Sequence, residues 1–236
     1  MSDFKLTFDY GAGLPKADRE LIHRATETAR RYYDIRVPAC PDPSVVTHVV
    51  NGSNGNIAAL ASPTDRGSAT VIVYAGGAWP LLTQPQKLQI LLHEWYHVVQ
   101  YPFRTCSQYS PECPVPTVHI PGWFIEGTAE FESVRAAATL GKAPFTSERA
   151  KRLATARTET SKPLQRMRVL QTFEEYTVAF GAVDYLISKS SDQALRTFWP
   201  LIARTGNFTK AFTGAFGMTP SDFYDGFAKY RQNGYH

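Results

Sequence analysis

The chain of 236 residues contains no long apolar run. Nothing in it approaches the roughly 18 consecutive apolar residues of a spanning helix, so a membrane partner is not expected. Its start, Met1-Ser2-Asp3-Phe4-Lys5, lacks the apolar core of a signal peptide. Charge is also scarce: Asp, Glu, Lys and Arg make up 19%, against 43% apolar residues that include 14 Phe, 12 Tyr and 4 Trp. That balance excludes disorder over most of the chain. The formal charge of +4 is scattered, with short clusters only at Arg30-Arg31 and Lys151-Arg152, so no basic stripe points to nucleic acid. Cysteine is limited to Cys40, Cys106 and Cys113, with no C-x-x-C pair, which argues against a cysteine-held metal. A loop-closing disulfide between Cys106 and Cys113 is the expectation, and it leans toward a secreted or extracellular protein. Cys40 reads as a buried thiol.

There is no internal repeat and no low-complexity tract, so organisation comes from periodicity and breakers. Residues 4–10 alternate like a short strand. Leu21, Ile22, Ala25, Ala29, Tyr32 and Tyr33 recur at helical spacing and predict a first helix from Pro15 to about Tyr33. Three β-rich runs follow at 45–51, 56–61 and 69–75, the first two separated by the turn-forming stretch 51–55. They predict a small sheet, mostly antiparallel or mixed. Thr83 and Gln86 read as a capping box that opens a helix over about 84–101, with Pro102 as its stop. Five prolines between 102 and 121 suggest a long irregular connection. Further helices are expected from Pro121 to about Leu140, at 147–158, 173–189 and 192–204, and from the N-cap Thr219 with Pro220 to about Gln232. The expected architecture is one α+β catalytic domain over 1–236, with a sheet lobe (1–101) carrying a long helix and a helical lobe (102–236).

Chemistry concentrates at Ile90-Leu-Leu-His93-Glu94-Trp-Tyr-His97-Val-Val-Gln100. Residues four apart on a helix share a face, so both imidazoles of H-E-x-x-H reach one metal ion. Glu94 lies beside that metal, where it can take a proton from bound water. A zinc site that keeps an open position for water needs a third protein ligand. Glu126, 29 residues after His97 in Trp123-Phe-Ile-Glu126-Gly127-Thr-Ala129-Glu130, supplies the candidate, and Gly127 and Ala129 are small enough for close helix approach. Glu130 projects from the same face as Glu126 and is the candidate carboxylate behind a zinc-bound histidine. His48 and His119 read as structural histidines, although His119 could line the cleft.

H-E-x-x-H followed by W-x-x-E-G-x-A resembles the gluzincin metallopeptidases, the group that includes thermolysin and the zinc aminopeptidases. The resemblance covers roughly residues 69–230. It implies a thermolysin-like catalytic domain with its cleft between two lobes, one zinc ion per chain on His93, His97 and Glu126, and Glu94 as general base. It also assigns Glu130 to the support of a zinc histidine. The segment from Tyr176 to Leu186 resembles the aminopeptidases' Y-x-K-G-F-x-x-x-x-Y-L, which implies that Tyr176 donates a hydrogen bond to the tetrahedral intermediate. The pattern from Ala211-Phe212 to Phe223 resembles the small peptidase-MA-like branch. Aminopeptidases of the group carry G-A-M-E-N on an edge strand, and its Glu grips the substrate's free amine. Taking 69–77 as that edge strand, this chain has Gly76-Gly77-Ala78-Trp79-Pro80 there. Gly76, Gly77 and Ala78 are thus candidate substrate contacts without a carboxylate, and the expected activity is an endopeptidase acting on peptide or protein. The alternatives are a catalytically weak or inactive zinc-binding recognition module, or a hydrolase of a non-peptide amide.

Overall fold

The computed structural model describes residues 5–10, 14–33, 44–50, 58–63, 69–109, 119–141, 143–159 and 162–236. Four strands, β1 (Lys5–Tyr10), β2 (Ser44–Val50), β3 (Ala59–Pro63) and β4 (Ala69–Tyr74), precede most of the helices. These are α1 (Lys16–Tyr32), α2 (Gln84–Tyr109), α3 (Gly122–Thr139), α4 (Phe145–Ala156), α5 (Phe173–Lys189), α6 (Asp192–Thr205), α7 (Phe208–Phe216) and α8 (Pro220–Gln232). The chain divides into two compact units, Met1–Pro114 with Arg135–Lys142, and Val115–Val134 with Ala143–His236. Among the described residues no helix is long and apolar enough to cross a membrane.

In the first unit the strands form one sheet in the order β1-β2-β4-β3. β1 and β2 run parallel, as do β2 and β4, and only β3 is antiparallel, to β4. The sheet is therefore mixed but not mostly antiparallel. Parallel neighbours need a crossover, and α1 provides it between β1 and β2. His23 of α1 packs its ring 4.1 Å from Phe8 of β1. The placement of β4 overturns one expectation: 69–77 is no edge strand. Val71 and Val73, fully buried, belong to an interior strand paired on both sides, and the edges are β1 and β3.

Helix α2 packs on α1, β3 and β4. Leu88, Leu91, Leu92 and Trp95 are completely buried at the spacing of one helical stripe. At its start the Gln86 side-chain oxygen accepts from both the N–H and the hydroxyl of Thr83. Pro102 does not end it, and the helix continues to Tyr109. A proline removes one backbone donor and kinks a helix, but flanking residues can keep the helical path. The same is seen at Pro200 inside α6. Residues 102–109, expected in an irregular connection, thus belong to the helix. The proposed Cys106–Cys113 bridge, the 51–55 turn and Cys40 lie outside the residues whose side chains are described.

In the second unit α5 packs on α4 and α8, and α7 on α6 and α8. Arg149 of α4 donates two hydrogen bonds of 2.7 Å to Asp184 of α5. Phe124 of α3 sits among Phe198, Phe212 and Phe216, with ring centroids 4.5–6.1 Å away. Helix α7 carries Phe212 and Phe216 into this core. It spans nine residues between Asn207, whose side chain accepts from the Lys210 N–H, and Gly217 at φ 71°. Its shortness kept it below the threshold of sequence periodicity, although the Asn and Gly caps mark both ends.

Candidate metal centre

Tyr33, at the end of α1, fixes the turn of α2 on which the centre is built. Its hydroxyl donates to the Leu92 carbonyl at 2.9 Å, and its ring meets Tyr96 edge to face. The next residue is His93. Its Nε2 lies 3.1 Å from Nε2 of His97, with ring centroids 4.8 Å apart. Around a tetrahedral zinc with bonds of about 2.0–2.1 Å, neighbouring ligand atoms stand about 3.3 Å apart. The two imidazole tips are already near that spacing. One ligand atom from each of His93, His97 and Glu126 lies within 4.8 Å of the others. Both histidines are buried, and Glu126 is half-buried. Two imidazoles and one carboxylate match the donor set of an open zinc site, so this group could bind a metal.

His97 has a partner that the sequence reading missed. Its Nδ1 stands 2.9 Å from Oε1 of Gln100, which is completely buried. A carbonyl oxygen can only accept, so Nδ1 carries the proton and Nε2 keeps its lone pair for a metal. The i,i+3 spacing on one helix face was the available signal. A second unforeseen contact concerns Glu94, whose Oε2 accepts the backbone N–H of Ala61 on β3 at 2.6 Å. Any residue but proline offers that N–H, so no side chain advertised it.

The turn bearing Glu126 is held from several directions. The Trp123 N–H donates to the Met167 carbonyl at 3.0 Å, and the Trp123 indole donates to the Tyr224 hydroxyl while stacking on Phe223. A methyl group on Gly127 would come within 2.6 Å of the Ala179 carbonyl oxygen on α5. Tyr176, half-buried, precedes Ala179 by three residues, so the contact brings its helix face toward the Glu126 turn. Glu130 is buried and forms an ion pair with the buried Arg152 of α4.

The remaining sequence candidates lie elsewhere. Gly76, Gly77 and Ala78 form the turn after β4, with the Gly77 N–H bonded to the Tyr74 carbonyl. Gly76 lines a 350 Å³ cavity with Asp18, Lys87 and Pro80. With β4 interior, strand addition at these residues is excluded; the sheet edge beside Glu94 is β3. His119 is exposed, ahead of α3, and His48 sits on β2 opposite Asp9 and Ile72.

No protein-family model and no curated protein sequence matches the chain. Solved structures do. A crystal structure of an M1 zinc metallopeptidase mutant from Deinococcus radiodurans superposes with a TM-score of 0.55 at 16% identity, over 94% of this chain and 47% of that one. A two-domain M1 zinc metallopeptidase mutant bound to L-arginine gives 0.53 at 16% identity, over 96% and 47%. The chain thus spans about half the length of each. At that identity the likeness concerns the backbone alone: the chain has a fold similar to part of these two M1 zinc metallopeptidase structures.

Proposed function

We propose that the protein is a zinc-dependent peptidase in which His93, His97 and Glu126 hold one zinc ion and Glu94 is the general base. The observation that carries the reading is the convergence of the three ligand atoms within 4.8 Å, beside a glutamate on the same helix. Bound there, zinc supplies Lewis acidity, lowering the pKa of a coordinated water and polarising a carbonyl. Glu94 accepts the proton of the attacking water and passes it to the nitrogen of the breaking amide, so that an amine leaves. Tyr176 donates a hydrogen bond to the developing oxyanion. Gln100 keeps His97 in the tautomer that ligation requires, and Glu130, backed by Arg152, is the acid that the family resemblance assigns to a zinc histidine.

The substrate is a peptide or protein, cut internally. The edge strand beside Glu94 reads Ala59-Leu60-Ala61-Ser62-Pro63, without a carboxylate to grip a free amine. That favours endopeptidase over aminopeptidase action. Replacing Glu94 by Gln tests the reading: zinc content stays at one ion per chain while hydrolysis of a quenched peptide library disappears. A Glu94→Gln protein that keeps wild-type turnover refutes the assignment.

A further inference from the structure

In an antiparallel pair, residues that bond across the ladder alternate with residues whose N–H and C=O point away from it. The Tyr74 N–H donates to the Ala58 carbonyl at 2.9 Å, and the register continues with Ala59 opposite Val73, Leu60 opposite Ile72 and Ala61 opposite Val71. Leu60 therefore repeats the bonded arrangement of Ala58, while Ala59 and Ala61 turn their backbone N–H groups toward the outer edge of β3. Pro63, the next residue of that outward set, has no N–H to offer. Ala61 is thus the last outward donor on the strand.

That donor meets Oε2 of Glu94 at 2.6 Å, a short distance of the kind made to ionised acceptors. Glu94 is half-buried and its side chain has several rotatable bonds, so its place on the helix does not by itself fix where its oxygens lie. The neighbouring contacts act on other parts of the centre. Tyr33 holds the helix backbone through the Leu92 carbonyl, and Gln100 holds the His97 ring. The Ala61 N–H addresses the carboxylate of the base itself, from a strand paired to the rest of the sheet.

We propose that the Ala61 backbone N–H is a positioning group for the general base: it holds Oε2 of Glu94, so that proton transfer falls to Oε1. The proposal rests on the peptidase reading above. As the oxygen of the attacking water bonds to the amide carbon, one of its protons passes to Oε1. That proton then moves to the amide nitrogen while the carbon–nitrogen bond breaks, and Glu94 is left ionised as it began. A fixed backbone donor needs no reorganisation during either transfer and keeps the carboxylate in one orientation for both. Because the donor is main chain, its requirement on the sequence is the exclusion of proline at position 61.

The test uses the zinc-loaded full chain with lactic acid in place of Ala61, which exchanges the peptide N–H for an ester oxygen and keeps the methyl group. The same exchange at Ala59 is the control, since that N–H also points outward and each ester weakens one carbonyl that accepts from β4. On a quenched peptide that the wild type cuts, the Ala61 ester should lower kcat about 10–100-fold, as for one lost hydrogen bond to a charged group, with KM within about twofold. Zinc content should stay at that of the wild type, and the Ala59 ester should keep the wild-type kcat. Ala61→Pro removes the same donor and is the second variant if the ester chain fails to fold, because an edge strand tolerates proline where its nitrogen faces outward. A readout independent of turnover comes from the zinc-free protein: hydrogen exchange at the Ala61 amide, slow in the wild type, should quicken by about tenfold or more in Glu94→Ala. An unchanged kcat, an equal fall in both esters, loss of zinc, or exchange indifferent to Glu94→Ala overturns the positioning role and leaves the peptidase reading standing. A wild type that binds zinc and cuts no peptide refutes the peptidase reading and the positioning role with it.

Discussion

Gly127→Ala sets two physical effects against each other at the residue after Glu126. Helix propensity alone favours alanine over glycine inside a helix by about 1 kcal/mol. The structure reverses the sign. The new methyl would stand 2.6 Å from the Ala179 carbonyl oxygen, 2.9 Å from its carbon and 3.1 Å from Cγ2 of Val183, all on α5. Two of those three atoms are backbone, so relief requires moving a helix whose residues Val178 to Val183 are fully buried, not turning a side chain. Overpacking of this kind costs about 1–3 kcal/mol, at the upper end here because backbone atoms must move, which leaves a net loss of up to about 2 kcal/mol after the propensity gain. Gly226→Ala is the internal control. Its methyl meets the Tyr185 hydroxyl at 2.5 Å, the far end of a side chain that can swing away, so the propensity gain should survive there as a change between about zero and +1 kcal/mol. Urea denaturation followed by tryptophan fluorescence, in a chelator so that metal binding does not contribute, measures both variants. Gly127→Ala equal to or more stable than wild type, or Gly226→Ala the more damaging, refutes the close-packing argument.

Zinc should raise the melting temperature of the wild type, by mass action on the folded state, and His97→Ala should abolish that rise; calorimetry with and without added zinc checks it. Gln100→Leu removes the acceptor that fixes the His97 tautomer and should weaken zinc binding about 10–100-fold in a chelator competition, with the fold retained by circular dichroism. Asp18→Asn strips the buried Lys87 of its carboxylate, and breaking a buried pair costs about 3–5 kcal/mol in a urea melt. The pH dependence has a definite sign. Burial pushes the Asp18 carboxyl up, but hydrogen bonds from Lys87, Trp79 and Gln84, with the charge of Lys87, outweigh it and hold the group below its ordinary 3.8. The folded state then binds that proton more weakly than the unfolded state. The associated stability is fully present above about pH 4 and is lost as pH falls through the lower folded value, so acid melts of Asp18→Asn should lack this part of the wild-type decline.

Most helical elements and the shared face of His93 and His97 were legible because they rest on local patterns. His93 and His97 are fixed on one face by a four-residue spacing whatever surrounds the helix, and Thr219 with Pro220 marked the start of α8, where the structure has a full capping box with Asp222. What escaped depends on partners distant in the chain. The Ala61 N–H meets Glu94 only because β3 takes the edge of the sheet, and strand order is decided by packing between segments that carry similar β-rich sequences. The buried partner of Glu130 sits on another helix, and Arg152 lies in a basic pair that resembles any solvated surface cluster until its burial is known.

The edge-strand error is the instructive one. Gly76 and Gly77 attracted the comparison with the aminopeptidase motif because they follow the most β-rich run in the chain, Ala69–Tyr74. A run that apolar fits an interior strand better than an edge: β4 is paired on both sides, with Val71 and Val73 fully buried on one face and Ile72 half-buried on the other. Moving the comparison to β3 changes which segment meets Glu94, from the glycines after β4 to the strand whose Ala61 N–H its carboxylate accepts. The functional consequence survives the move. Neither segment contains a carboxylate, so the argument against a free-amine clamp holds on the strand whose backbone reaches Glu94.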